Sequence, residues 1–199
     1  MKKRILISVT NKTGIEKFKQ LLEAGWEIIS TGGTAKALTD AGIECTPVEY
    51  ITNFPEMMGG RIKTLHPNVF APILANREKP DHLEALEKFS VGDPIDVVVV
   101  NLYDFASKPD IENIDVGGPS MIRAAAKNCA HVCAVSDPAD YDRVIDALLG
   151  EGPTDELKQE LALKVFQHTS NYDAMIAAWM LQKIQAGEPF LKSMLVATH

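Results

Sequence analysis

Apolar positions in the first half of the chain switch between two spacings. Arg4–Val9 (RILISV) and Trp26–Ser30 (WEIIS) are short, β-branched runs that read as buried strands, each followed by a polar turn and a stretch of helical period. Between them Ile15, Phe18, Leu21 and Leu22 make a helical stripe, with Gly25 placed as a C-cap. TGGTAKALTDAG then gives a tight turn and a short helix ending near Gly42, and CTPVEYI a third, irregular strand. Four consecutive valines within Ile95–Tyr103 (IDVVVVNLY) predict a strand buried on both faces. HVCAVS, from His131, predicts another. The alternation of strand and helix implies βαβ units, so the expected class is α/β: a doubly wound, mainly parallel sheet of about five strands flanked by helices.

Other segments complete this picture. Asp81–Val91 reads as a helix with Asp81 as N-cap, and PSMIRAAAKNC as one with Pro119 in its first turn. DPADYDRVIDALLG places Asp137 at an N-cap and Pro138 at the first helical position. Residues 52–80 read as loop. From Pro153 onward the period is helical only, and the capping-box spacing of Ser170 and Asp173 predicts a kink or break near 170. The expectation is a single domain over 1–199, with its core over 4–150 and extra C-terminal helices over 153–186. The last ten residues carry no strong pattern.

Composition narrows the class. The 199 residues are 46% hydrophobic and 24% charged, enough for a core without disulfides. Cys45, Cys129 and Cys133 form no CxxC pair and lack partners for a zinc site, so they read as buried free thiols in a reducing cytoplasm. No apolar run reaches the ~18 residues of a membrane span, and Ile5–Val9 is too short for a signal core. The net charge of -7 argues against nucleic-acid binding, yet leaves room for a small anion held by a few cations and backbone amides.

The candidate chemistry lies where strands end. In parallel α/β sheets, ligands bind at the carboxyl ends of strands, on turns entering helices. TNKTG (Thr10–Gly14), STGGT (Ser30–Thr34), NLYD (Asn101–Asp104) and IDVGGPS (Ile114–Ser120) all fall there. Hydroxyls, glycines and a lysine beside helix N-termini suit an anion. STGGT lacks the spacing of a P-loop or a dinucleotide fingerprint, and a glycine turn often only closes a connection. GGRIKTLHP (59–67) concentrates cations in a glycine-flanked loop. If it is extended, Arg61 and Lys63 face one side, with Ile62 and Leu65 anchoring the loop. They are then either a solvated pair or two cations sharing an anion. Arg123 and Lys127 lie four apart on one helical face, as a solvent-facing pair would.

Taken together, SVTNKTG, STGGTAKAL, FPEMMGGRIKTLHP, VVVNLY, IDVGGPSMIRAAAKN and HTSNYDAMIA resemble the IMP cyclohydrolase domain of the bifunctional purine-biosynthesis enzyme, from about residue 4 to about 185. The resemblance implies a methylglyoxal-synthase-like fold. It also implies ring closure of FAICAR to IMP with loss of water, and no metal or organic cofactor. By motif match, the catalytic residues are Lys63 (oxyanion stabiliser or proton donor), Tyr103 (beside the closing ring), Asp115 (orienting or deprotonating the carboxamide) and Lys127 (proton donor or acceptor). The implied nucleotide-binding residues are Thr10, Asn11, Lys12, Thr13, Thr31, Gly32, Gly33, Thr34, Arg61, Thr64, Asn101, Val116 and Gly117. The implied partners are the nucleotide, a second copy in a homodimer and a separate AICAR transformylase, with no nucleic acid and no membrane.

Two departures stand out. Asp104 replaces the family's usual proline after the tyrosine, and a carboxylate pointing inward there would raise the pKa of Lys63 or Lys127. The transformylase half is absent, as in either a stand-alone enzyme or an excised domain. Two other readings compete. Methylglyoxal synthase would show a His-Asp pair after the first strand and a Gly-Thr-Thr-Gly turn. A nucleotide-sensing regulatory module would have no use for Lys63, Tyr103, Asp115 and Lys127 together.

Overall fold

The computed structural model describes residues 2–55 and 57–188. Five strands, β1 (Arg4–Ser8), β2 (Glu27–Ser30), β3 (Thr46–Pro47), β4 (Val97–Val100) and β5 (Cys133–Val135), form one parallel sheet in the order β3-β2-β1-β4-β5. The helices are α1 (Lys19–Glu23, after a 3-10 turn), α2 (Gly32–Asp40), α3 (Val48–Thr52), α4 (Pro67–Leu74), α5 (Pro80–Lys88), α6 (Gly117–Lys127), α7 (Tyr141–Leu149) and α8 (Asp155–Gln185). The expected doubly wound α/β architecture is present.

The strands are short apolar runs because both faces of the sheet are covered. Leu6 is in register with Ile29 and Val98, and Val98 with Ala134. That row packs with Ile73 of α4, Met121 and Ile122 of α6 and Val165 of α8. The alternate residues Ile5, Ile7, Ile28, Val97 and Val99 pack with Phe18, Leu38 of α2 and Tyr141 and Val144 of α7. The period-2 pleat thus divides the valine run between two cores. Burying a side chain of this kind contributes roughly 1.5–3 kcal/mol.

Four expectations change. The third strand is only Thr46–Pro47; VEYI is helical, with Val48 and Thr52 buried four apart. Proline lacks the N–H that would continue a ladder, so the strand stops there. Residues 67–74, read as loop, form α4. Pro67 takes the first helical position, His66 Nδ1 caps the Asn68 N–H at 3.1 Å, and Val69 and Ile73 are buried. Pro72 inside it removes one helical hydrogen bond, which a two-turn segment packed on the core tolerates. Lys79 occupies the α5 cap position rather than Asp81, which lies in the first turn. Finally, α8 runs unbroken through 170: Ser170 and Asp173 face solvent, while Val165, Thr169 and Tyr172 are buried. Thr154 caps α8 through the Leu157 N–H.

Asp137 does cap its helical turn, accepting from the Ala139 N–H at 2.9 Å. Of the thiols, Cys133 is buried and its pKa is pushed up to about 12 by that burial, whereas Cys45 and Cys129 are only half-buried. No described helix is long and apolar enough to cross a membrane.

Candidate active site

Beyond the carboxyl ends of β1, β2 and β4 lies an open cleft of about 680 Å³. The chain leaves β1 in one direction toward β2 and returns on its other side as β4, so the cleft sits at the topological switch point. Its base is held by side chains bonded to backbone. Asn101 Oδ1 accepts the N–H groups of Thr10 at 2.6 Å and Asn11 at 2.9 Å, and Asn101 Nδ2 donates to Asn11 O at 2.9 Å. Thr34 Oγ1 donates to Val9 O at 2.9 Å and accepts the Val9 N–H at 3.1 Å. The Ser8 and Thr31 hydroxyls bond at 2.8 Å. Asn101 and Thr34 therefore spend their polar atoms fixing the turn after β1 to β4 and α2.

Positive charge gathers at the start of α2. Gly32 has φ 34°, and a Cβ there would lie 2.7 Å from Lys63 Nζ, so the Lys63 ammonium sits at this helix N-terminus. Lys12 Nζ bonds to Val9 O and to Thr34 Oγ1 at 3.1 Å. Burial, and secondarily the neighbouring Lys63 charge, hold Lys12 below the usual lysine range. Two ammonium groups beside unpaired helical N–H groups make an anion-receiving corner.

The 59–67 loop reaches this corner by a route other than the expected one. It is not extended. Met58, Gly59 and Gly60 take φ of 54°, 61° and 82°, Arg61 is helical, and turns close from Lys63 N to Gly60 O and from Leu65 N to Ile62 O. Arg61 and Lys63 both line the cleft through this coil rather than through strand alternation. Leu65 lines the cleft and is 39% exposed; the buried residue is Thr64, whose Oγ1 lies 2.7 Å from where a Cβ on Gly117 would sit. Arg61 forms an ion pair with Glu112.

At the other end, Asp115 Oδ1 accepts the Gly118 N–H at 2.9 Å and the Asp115 N–H donates to Tyr172 Oη at 2.8 Å. A Cβ on Gly118 would overlap the Asp115 carboxylate, so only glycine fits. Burial raises the Asp115 pKa, and the Gly118 hydrogen bond opposes part of the shift. Tyr103 is 49% exposed at the mouth. Burial of its hydroxyl, then the Asp115 charge, raise its pKa, which keeps it a phenol and a hydrogen-bond donor.

The cleft thus brings together Lys63, Tyr103 and Asp115 with Thr10, Lys12, Thr31, Gly33, Thr34, Arg61, Thr64, Asn101, Val116 and Gly117. Gly32, Asn11 and Thr13 are not among its lining residues, and Asn11 Oδ1 caps the Thr13 N–H at 3.0 Å. Lys127 is not at the cleft. It is exposed at the last residue of α6, roughly 15 Å along the axis from Gly117 by helical rise. Its supposed pair-mate Arg123 turns to Thr169 Oγ1 at 3.2 Å and over the Phe166 ring. Asp104 is not among the residues lining the cleft; it closes its own turn, accepting the Ser107 N–H at 3.2 Å. Ser8, Glu112 and Met121 line the cleft without having been singled out. Ser8 could have been found as the last residue of a strand ending at the site; Glu112, in a polar connection, carries no local signal.

Fold and site define an α/β domain with an anion-receiving cleft at its switch point. Residues 14–128 match the MGS-like domain model, and the chain belongs to that family. Residues 125–198 match the AICARFT/IMPCHase bienzyme model. The chain is 52% identical over 200 residues to the bifunctional purine biosynthesis protein PurH of Streptococcus pneumoniae serotype 2 (strain D39 / NCTC 7466), covering 95% of this chain and 39% of that protein. It is 49% identical over 199 residues to PurH of Oceanobacillus iheyensis, with the same coverage of each chain (95% and 39%). The chain therefore spans 39% of the length of these curated relatives. The solved structure titled "Crystal structure of ForH" superposes with a TM-score of 0.80 at 36% identity, covering 89% of this chain and 98% of that one.

Proposed function

We propose that the chain is an IMP cyclohydrolase, closing FAICAR to IMP with release of water. The observation that carries this reading is one cleft with an anion corner (Lys12, Lys63 and the start of α2) at one end and a carboxylate–phenol pair (Asp115, Tyr103) at the other. A nucleotide monophosphate has that polarity. Its phosphate meets the helix N-terminus and the lysines, and its base meets Asp115 and Tyr103.

In the ring closure the carboxamide nitrogen bonds to the formyl carbon. The carboxamide nitrogen gives up one proton and the formamido nitrogen another, and both leave with the formyl oxygen as water. Asp115, kept more basic than an ordinary aspartate by burial, accepts the first proton. Tyr103, held as a phenol, donates to the oxygen on which negative charge develops, while Lys63, at the phosphate end, holds the nucleotide in register. Both reacting groups belong to one molecule, so positioning supplies much of the rate. The atoms balance without a redox partner or group donor, so the reaction calls for no cofactor. Lys127, matched by resemblance alone, receives no step.

The same reading takes 1–199 as one cyclohydrolase domain in the cytoplasm, working as a homodimer. FAICAR comes from an AICAR transformylase activity, in keeping with relatives named bifunctional, of which this chain spans 39%. Lys63→Ala tests the assignment. IMP formation at limiting FAICAR should fall roughly ten- to a hundredfold, the scale of a lost charged contact to the phosphate, while far-ultraviolet circular dichroism is unchanged. Ordinary turnover in that variant removes Lys63 from the mechanism.

A further inference from the structure

One motif, HTSNYDAMIA (168–177), has no role in the cleft, because none of its residues lines it. It lies on α8, and in a mostly exposed stretch two of its residues are buried, Thr169 and Tyr172; Tyr172 is 2% exposed and its hydroxyl meets polar partners. That hydroxyl accepts the Asp115 N–H at 2.8 Å and donates to Asn113 O at 3.4 Å. We propose, on the basis of the cyclohydrolase reading, that Tyr172 is a positioning residue that sets Asp115 in place for proton transfer.

The argument starts from the backbone. Residues 110–116 cross the cleft without joining the sheet, so their N–H and C=O groups need other partners. Asp110 serves the local turn, accepting the Glu112 N–H at 2.9 Å. Asp115 is fixed at two points: its main chain by Tyr172 and its side chain by the Gly118 N–H. Tyr172 itself cannot drift. Its ring packs edge-on to Phe105 with centroids 6.2 Å apart, and one turn earlier the buried Thr169 ties α8 to Arg123 of α6. A rigid helix thus presents one hydroxyl to the residue whose carboxylate does the chemistry. Removing it frees the main chain of Asp115 while the cleft walls stay.

Tyr172→Phe keeps the ring and deletes only the hydroxyl. With FAICAR as substrate, kcat should drop roughly tenfold, since small misplacement of a reacting group is costly, with KM within twofold of the parent. In an Asp115→Asn background, Tyr172→Phe should change the residual kcat by less than twofold. A merely structural tyrosine would lower both backgrounds alike or act on KM, and either result overturns the proposal. A second readout does not depend on turnover. Hydrogen exchange of the Asp115 amide should speed up at least tenfold in Tyr172→Phe, while the β1 and β4 amides are unaffected. If the unaltered chain forms no IMP but the Asp115 amide is released as stated, the cyclohydrolase reading fails and the positioning of Asp115 stands. If that amide exchanges at the parent rate, the proposal fails whatever the activity.

Discussion

Asp115 is where environment turns an ordinary residue into a candidate base. Burial lifts its pKa, and the only opposing contribution of note is a single backbone N–H from Gly118. The sign has two consequences. As a base, Asp115 works only when ionised, so the acid limb of kcat for IMP formation should lie at higher pH than for an exposed aspartate, and Asp115→Asn should remove that limb with the activity. A raised folded-state pKa also means that Asp115 favours the folded state while protonated. Its contribution is fully present below the unfolded-state pKa and is lost as pH rises through the folded-state value. Asp115→Asn should therefore melt at or above the parent temperature at neutral pH by calorimetry, and a marked drop would contradict this account of its environment. Residue patterns gave part of this site directly: glycine and hydroxyl turns after β1 and β2 pointed to an anion corner, and Lys12 and Lys63 meet there. They could not give orientation. Asp104 could have faced the site or solvent, and it bonds its own turn at Ser107; Lys127 matched a motif, but closes α6 away from the cleft.

Among the elements, the strands were legible because burial on both faces demands uninterrupted β-branched runs, as at Val97–Val100. An element with proline in its interior was not. α4 starts favourably, at Pro67 behind the His66 cap, but Pro72 lies inside it and argues against a helix, and packing of Val69 and Ile73 on the core carries it through. α8 shows the opposite error: a local capping signal at Ser170 is overridden by tertiary contacts of Thr169 and Tyr172. The element on which the site most depends is α2. Its first residue, Gly32, combines φ 34° with a clearance of 2.7 Å between a would-be Cβ and Lys63 Nζ. Gly32→Ala should push the lysine off the helix N-terminus, weakening IMP binding several-fold by titration calorimetry. The helix itself should lose only about 1 kcal/mol, the scale of a strained left-handed residue. Unaltered affinity would mean that Lys63 does not act from that position.

At the scale of the whole molecule, the parallel sheet does two things for one cleft. Its order, β3-β2-β1-β4-β5, opens a crevice between the turns after β1 and β4, and Asn101 ties those turns together across it. Its flanking layers then deliver what the sheet cannot: Lys63 from the coil before α4, and Asp115 from a crossing segment held by α8. The α/β class followed from periodicity alone, whereas the closing contacts, between positions such as 63 and 32 or 115 and 172, are long-range and leave no local trace. The most direct test is to mix the purified chain alone with FAICAR, without metal or folate, and follow IMP by absorbance and chromatography. Catalytic formation of IMP, with one water lost per turnover, is the predicted result. Tight binding of IMP with no conversion of FAICAR would contradict the account and leave a nucleotide-sensing module in its place.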